Sequence, residues 1–293
     1  MKTYKNIIVA TDFSESATTA YHYARQIASH LNAALTVVNI YEMPIIDPAV
    51  PNYYAYLPSV DELQKSSEKR LSNFIRETDD DNGTTLVASR VKVKTEAYIG
   101  FPADKLIELS ENPSTDLIIL GTVGEQGWLT KLFGSVAIKV MQEAHCPVLL
   151  VPQEAEYKNI HHILYAASPE SASKKTINGA IDFAKNFVSA IHFVHIDAVF
   201  ENPKANTISL FKSILAENAP HLPYTVENVV SMSVGEGVSS YCLKNKVDLV
   251  VSVTHHRKFW DSLIHHSITK DLAWQAHLPI LCLHTDDKVQ PPV

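Results

Sequence analysis

Residues 116–151 read DLIILGTVGEQGWLTKLFGSVAIKVMQEAHCPVLLV, and the pattern of this stretch decides the fold. An apolar run of strand length is followed by a glycine-rich loop, an amphipathic stretch with helical period and a second apolar run. The loop carries Gly121, Gly124 and Gly134 in the spacing G-x2-G-x9-G-S. Strand, loop, helix and strand in this order predict one unit of a parallel sheet that is covered by helices.

The glycine-rich loop has the composition of a phosphate site. Glycine lets the backbone approach a ligand closely and adopts positive φ without steric cost. The amides of Gly134, Ser135 and Val136 open a helix, whose dipole favours an anion. We therefore predict that the loop binds a nucleotide triphosphate. The alternative is a plain strand-to-helix connection with glycines as turn residues. Lys131, inside the loop, is either a further phosphate contact or a solvated side chain.

The second half of the chain repeats this pattern. A shift of 132 residues (279 − 147) aligns PVLLV at 147–151 with PILCL at 279–283. The same shift brings Trp128 onto Trp260, so the match extends beyond hydrophobic pattern. Upstream, we align Gly100 with Gly235 at a shift of 135, and Asp12 with Ser168 at about 156. The differences between these shifts predict a second copy that is shortened in its loops.

Each copy alternates apolar runs of strand length with amphipathic stretches, which predicts an α/β fold. The fold is expected to consist of two tandem doubly wound domains, each with a five-stranded parallel sheet and helices on both faces. We place the domains at 1–152, here called the first repeat, and 158–285, the second repeat, with a tail at 286–293. Strands are predicted near 5–11, 34–41, 86–97, 116–121, 147–152, 161–167, 190–196, 223–231, 248–254 and 279–284. Helices are predicted near 16–31, 59–78, 102–111, 135–144, 171–187, 204–218, 236–245 and 267–276.

Composition excludes several classes of protein. The 293 residues carry a net charge of −7 and no cluster of lysine and arginine, which disfavours nucleic-acid binding. Three cysteines without a C-x-x-C pair argue against a disulfide framework or a zinc ribbon. No apolar run of membrane-spanning length and no signal-peptide pattern is present, so we expect a cytoplasmic protein that makes no membrane contact.

The chain resembles universal stress proteins, with two domains of that family in one polypeptide. The resemblance rests on the aspartate in VATDFSES at 9–16, on Gly-Phe-Pro at 100–102, on DLIILGTVG and its spaced loop, and on the closing PVLLV. It implies the adenine nucleotide alpha hydrolase-like fold. It also implies that ATP or another adenine nucleotide, with or without Mg²⁺, binds at the carboxyl ends of the strands, where the strand order reverses.

The resemblance assigns ten residues of the first repeat to the nucleotide. Asp12 matches the aspartate near the nucleoside, and Ala10 and Ile40 match neighbours of the base. The other seven match the ribose and phosphate loop and the start of the following helix: Leu120, Gly121, Val123, Gly124, Gly134, Ser135 and Val136. A competing interpretation makes Asp12 the N-cap of the first helix, a role that Ser14 or Ser16 could also fill.

The second repeat lacks most of these residues. Ser168 stands where the first repeat has Asp12, and Val253, His256 and His266 replace the three spaced glycines, while Ser267 is kept. A Cβ at each former glycine blocks the close approach of a phosphate, so we predict that this repeat binds no ATP. Its histidine pairs at 161–162, 255–256 and 265–266 leave open a metal site, an anion site or no site.

These observations predict an ATP-binding regulatory protein of the stress response whose second repeat is a scaffold. ATP is expected to order the proline- and tyrosine-rich segment 42–58, which an unknown protein partner would then recognise. PVLLV and PILCL are expected to pair as an internal pseudo-dimer, and a further homodimer stays open. One alternative is a weak ATPase, although no Walker-type lysine loop or general base is evident. The other is an interaction module that binds no nucleotide.

Overall fold

The structure is a computed structural model that describes residues 2–43, 59–81, 91–122, 134–167, 173–198, 207–219, 221–253 and 277–284. The strands are β1 (Asn6–Ala10), β2 (Ala34–Tyr41), β3 (Val93–Ile99), β4 (Leu117–Gly121), β5 (Val148–Val151), β6 (His162–Ala167), β7 (Ala190–Ala198), β8 (Tyr224–Ser231), β9 (Leu249–Val253) and β10 (Ile280–Leu283). The helices are α1 (Glu15–Leu31), α2 (Val60–Asp81), α3 (Pro102–Glu111), α4 (Ser135–Glu143), α5 (Lys174–Phe187), α6 (Thr207–Asn218) and α7 (Val234–Asn245). None of the helices in these ranges combines the length and hydrophobicity needed to cross a bilayer.

All ten strands form one sheet with the order β3-β2-β1-β4-β5-β10-β9-β6-β7-β8. Each repeat contributes five strands that are parallel to one another and whose order reverses beside its first strand. Apolar side chains from α1 and α5 pack on one face of the sheet, and those of α3, α4 and α7 pack on the other. The predicted doubly wound α/β fold is therefore confirmed. The predicted helix 267–276 and tail 286–293 lie outside the described residues.

The two repeats are joined through β5 and β10, which pair antiparallel with Leu149 opposite Leu281. Both leucines are fully buried. The predicted pairing of PVLLV with PILCL is thus observed within one chain. One apolar core on the α1/α5 face contains residues of both repeats, and Tyr4 of the first meets Phe183 of the second edge-to-face at 5.6 Å between ring centroids. The repeats therefore share a core as well as a sheet.

The connection between the repeats packs against α1. The Thr19 hydroxyl donates a hydrogen bond to the Gln153 carbonyl at 2.8 Å, and Tyr23 meets Tyr157 edge-to-face at 4.9 Å. Ala155 is buried in the shared core. The connection that follows β5 is therefore ordered by packing. The predicted domain limits, 1–152 and 158–285, stay predictions.

The first helix of each repeat ends at an equivalent residue but starts at a different one. The strand register gives a shift of 156 here, because Asn6 pairs with Ala34 in the first repeat as His162 pairs with Ala190 in the second. At this shift α1 and α5 end together, whereas α5 begins three residues later, equivalent to position 18 instead of 15. The helix predicted near 171–187 is observed at Lys174–Phe187.

Gly121, at the end of β4, lies very close to the first turn of α1. A Cβ built on Gly121 would lie 2.4 Å from the Ser16 carbonyl oxygen, in the first turn of α1. The second repeat carries Val253 at this position, and the side chain of Val253 is buried. A Cβ at position 121 and the observed first turn of α1 therefore exclude each other.

The predicted equivalence of Gly100 and Gly235 is also wrong. Ile99 pairs with Tyr41 and Val230 pairs with Asp197, so the register gives a shift of 131 at the end of these strands. Gly235 lies inside α7, whereas Gly100 precedes α3 with a φ of 141°. Two isolated glycines in sequence therefore suggested a match that the strand register does not support. β3 begins at Val93 rather than near 86, and residues 86–90 lie outside the described ranges.

The three cysteines are buried and free, as predicted from their odd number and spacing. Burial raises the pKa of the Cys146 thiol to about 12, and burial also raises the pKa of Cys242 and Cys282. The thiols therefore stay protonated at neutral pH and act as small apolar side chains.

Val188, the C-cap of α5, offers a test of backbone strain. Its φ is 55° and its side chain is 84 % exposed, so a β-branched residue occupies the left-handed region without packing in return. The equivalent C-cap of α1 is Asn32, which tolerates this conformation. Val188→Asn is expected to raise the free energy of unfolding by about 1 kcal/mol in urea denaturation. The control Val230→Asn, at an exposed strand position, should not stabilise, and an equal gain there would contradict the explanation.

Candidate functional site

A cavity of about 290 Å³ opens at the carboxyl ends of β1, β2 and β4, where the strand order of the first repeat reverses. Its walls are formed by Ala10, Thr11, Asp12, Ser16, Ala17, Val38, Ile40, Pro102, Leu106, Leu120, Gly121, Gly134, Ser135, Val136 and Ala137. Eight of the ten predicted site residues are among them. Val123 and Gly124 lie outside the described residues, as do Lys131 and, from position 44, the segment 42–58. Nucleotide contact by the ten residues stays a prediction.

The cavity has one apolar side and one side formed by a helix terminus. Val38 and Ile40 of β2 and Leu106 of α3 belong to the apolar cluster beneath it. Gly134, Ser135 and Val136 form the opposite wall at the start of α4. A ligand with a flat apolar part and an anionic part matches this division.

Helix α4 begins at the cavity without a side-chain cap. Its N-cap is Gly134, with φ −53° and ψ 155°, and no side chain in the described part of the protein caps this terminus. Serines cap four other helices: Ser14 caps α1, Ser59 caps α2, Ser173 caps α5 and Ser233 caps α7. The first amides of an α-helix lack intrahelical partners. At α4 these amides are therefore available to a ligand, and the helix dipole favours a negative one.

Asp12 shapes the loop that precedes α1 instead of capping the helix. Its Oδ1 accepts hydrogen bonds from the Ser14 amide at 3.0 Å and from the Ser14 hydroxyl at 2.6 Å. The Ser14 Oγ in turn accepts from the Ala17 amide at 3.3 Å, so Ser14 is the N-cap. The interpretation of Asp12 as N-cap is therefore wrong. Its carboxylate holds the capping serine and borders the cavity.

Phe13 adopts a left-handed backbone conformation between Asp12 and Ser14. Its φ is 70°, which is an outlier for a bulky residue. The Phe13 amide donates to the Thr11 Oγ1 at 2.9 Å. Its ring lies 4.1 Å from the Arg70 guanidinium carbon and meets Phe74 edge-to-face at 5.7 Å. Residues 11–14, the Asp12 loop, are thus held by side chains of α2.

Sequence reasoning missed a buried polar connection behind the Asp12 loop. The Asn39 Nδ2 donates to the Thr11 carbonyl at 2.7 Å, and the Ser67 hydroxyl donates to the Asn39 Oδ1 at 2.7 Å. Asn39, Ser67 and Thr11 are all buried. The available signal was the single polar residue near the end of the apolar strand ALTVVNIY, because a buried amide needs partners.

Of the three histidine pairs in the second repeat, the structure describes the pair 161–162. His162 Nδ1 lies 3.3 Å from His192 Nε2, at the amino ends of β6 and β7, which is the sheet edge opposite the carboxyl ends. Burial and the neighbouring His162 lower the pKa of His192. Within the described ranges, no three histidine, cysteine or acidic side chains are placed to hold a metal. The pairs 255–256 and 265–266 lie outside those ranges, as do Ser168 and Ser267.

Comparison with known proteins agrees with this architecture. A model of the universal stress protein family matches residues 3–152 and again 159–284. A universal stress protein of Methanocaldococcus jannaschii is 31% identical over 150 residues, which covers 50% of this chain and 82% of the relative. The crystal structure of a universal stress protein from Archaeoglobus fulgidus shares the fold with a TM-score of 0.69 at 15% identity, over 95% of this chain and 98% of that one. The chain therefore belongs to the universal stress protein family, and two segments of it match the family model.

Proposed function

We propose that the first repeat binds ATP in the cavity at the carboxyl ends of β1, β2 and β4, and that occupancy regulates a stress response. The observation that carries the proposal is the start of α4, which no side chain of the described ranges caps, beside an apolar wall. The adenine would lie against Val38 and Ile40, and the phosphates would accept hydrogen bonds from the amides that follow Gly134. Asp12 would accept from the ribose.

The second repeat is proposed to bind no ATP. Val253 stands in place of Gly121, and Ser168, His256 and His266 replace Asp12 and the other two spaced glycines. A cytoplasmic location and recognition by a protein partner belong to the same proposal. They rest on the sequence.

Native mass spectrometry of the intact protein with added ATP tests the proposal. We expect one adenine nucleotide per chain and a rise in thermal midpoint, because a ligand at 100 times its Kd adds about 2.7 kcal/mol of stability. AMP, ADP and cyclic AMP, tested separately, define the preferred nucleotide. Phosphate release with Mg²⁺, measured in parallel, decides whether the bound ATP is hydrolysed.

Gly134→Val is expected to weaken ATP binding roughly tenfold or more, since a branched side chain at the N-cap obstructs the amides of α4. Isothermal titration calorimetry gives the Kd, and circular dichroism verifies that the variant is folded. The matched control is Gly179→Ala in α5, where the added Cβ meets only the Leu283 side chain at 3.3 Å. The proposal fails if ATP binds both variants with the affinity of the wild type.

A further inference from the structure

We propose that α2 controls the ligand affinity of the cavity by holding the Asp12 loop in its strained conformation. Asn39, Ser67 and Arg70 are then positioning residues, since each acts on the loop and Asp12 faces the ligand. The inference rests on the proposed function for the identity of the ligand. Two independent connections between α2 and the loop support it.

The first connection is the buried chain of hydrogen bonds from Ser67 through Asn39 to the Thr11 carbonyl, with both donor–acceptor distances at 2.7 Å. Thr11 precedes Asp12 directly, and its amide also donates to the Val38 carbonyl at 2.9 Å. An unsatisfied polar group is costly in a buried environment. A shift of α2 therefore either moves the Asn39 amide, and the Thr11 carbonyl with it, or leaves the Asn39 Oδ1 without the Ser67 hydroxyl.

The second connection is the contact of Arg70 and Phe74 with the Phe13 ring. A left-handed φ at a bulky residue persists only where the surrounding structure enforces it. The ring contacts from α2 and the hydrogen bond from the Phe13 amide to Thr11 Oγ1 supply that enforcement. If α2 withdrew, Phe13 would relax to negative φ, and the Asp12 carboxylate and the Ser14 cap would move with it.

The second repeat provides a comparison within the same chain. At the shift of 156 set by the strand register, Ala167 stands for Thr11, Pro169 for Phe13 and His195 for Asn39. Proline fixes φ near −65°, and alanine has no hydroxyl to accept from the following turn. The second repeat, which has serine in place of Asp12, has thus also replaced Thr11 and Asn39 of the first connection and Phe13 of the second. This is expected if these residues serve the same site as Asp12.

The consequence is a reciprocal coupling between the cavity and α2. A ligand that needs Asp12 in place favours the observed position of α2, and whatever displaces α2 weakens that ligand by the same factor. The exposed side of α2 therefore becomes a place from which a bound protein could alter nucleotide affinity.

Asn39→Leu tests the first connection, because leucine has nearly the same shape and makes neither hydrogen bond. We expect the Kd for ATP to rise roughly tenfold in calorimetry. Hydrogen exchange of ligand-free protein should become faster at residues 11–18. The control is Ser110→Ala, which removes a buried hydroxyl that donates to the Ile107 carbonyl at 2.6 Å and accepts from the His145 amide at 2.9 Å. This control should lower the thermal midpoint and leave both the Kd and that exchange unchanged.

A double-mutant cycle tests the second connection. Arg70→Ala should raise the Kd for ATP severalfold in the wild type and leave it unchanged in a Phe13→Gly background, because glycine adopts positive φ without enforcement. Equal effects of Arg70→Ala in both backgrounds, or a Kd of Asn39→Leu equal to that of Ser110→Ala, would overturn the inference. If the wild type binds no adenine nucleotide, the proposed function fails. Hydrogen exchange at residues 11–18 then decides whether α2 holds the Asp12 loop. Equal exchange rates in Asn39→Leu and Ser110→Ala would show that α2 does not hold it.

Discussion

Gly121→Val is expected to lower the free energy of unfolding by about 3 kcal/mol and to abolish ATP binding to the first repeat. The reason is the 2.4 Å distance between a Cβ at position 121 and the Ser16 carbonyl oxygen, which is backbone and cannot rotate away. The first turn of α1 has to unwind. Because Ser14 and Asp12 are tied to that turn, the cavity wall is lost with it.

Urea denaturation and calorimetry measure the two effects, and hydrogen exchange locates the unwinding at residues 14–18. The glycine control is again Gly179→Ala, which should change stability by less than about 1 kcal/mol. A Gly121→Val protein with wild-type stability and protected amides in the first turn of α1 would show that the steric explanation is wrong.

Leu281→Ala is expected to cost about 3 kcal/mol and to destabilise both repeats together. Leu281 is fully buried in β10 opposite Leu149, at the antiparallel junction, and belongs to the core that both repeats share. A cavity at this point weakens the second repeat directly. It also weakens the first, because the sheet and the core continue across the junction.

Hydrogen exchange should report the loss equally in β1 and β6, with a single transition in urea. Leu243→Ala, at a leucine of the second repeat that is 56% exposed, is the matched control and should cost little. Two separate transitions, or loss of protection limited to β6 through β10, would mean that the repeats unfold independently.

The sequence predicted the elements and their order well because local patterns determine them. Strand-length apolar runs and amphipathic stretches recur in the same order in both halves, and the repeat led to the prediction that PVLLV and PILCL pair, which is observed. The eight predicted residues that line the cavity were assigned from the motifs that carry the family resemblance, and their contact with a nucleotide stays a prediction. Each lies at a strand end or a helix start, which the motif itself marks.

The features that the sequence did not predict depend on contacts between distant positions. The close approach of Gly121 to Ser16 joins positions 105 residues apart (121 − 16), and a helical pattern carries no sign of that contact. The chain from Ser67 to Asn39 to Thr11 joins three elements and follows no spacing rule. Nor does a run such as TDFSES show which of its polar residues caps the helix, since Asp12, Ser14 and Ser16 satisfy the same preference.

The junction of β5 with β10 also bears on how the chain has evolved. An unpaired β5 would present open amide and carbonyl groups, which recruit foreign strands and lead to aggregation. Natural selection would therefore preserve the second repeat as a covering for that edge even if this repeat bound no ligand of its own. Fusion of the two copies frees one to diverge, whereas identical subunits of a symmetric assembly must mutate in unison.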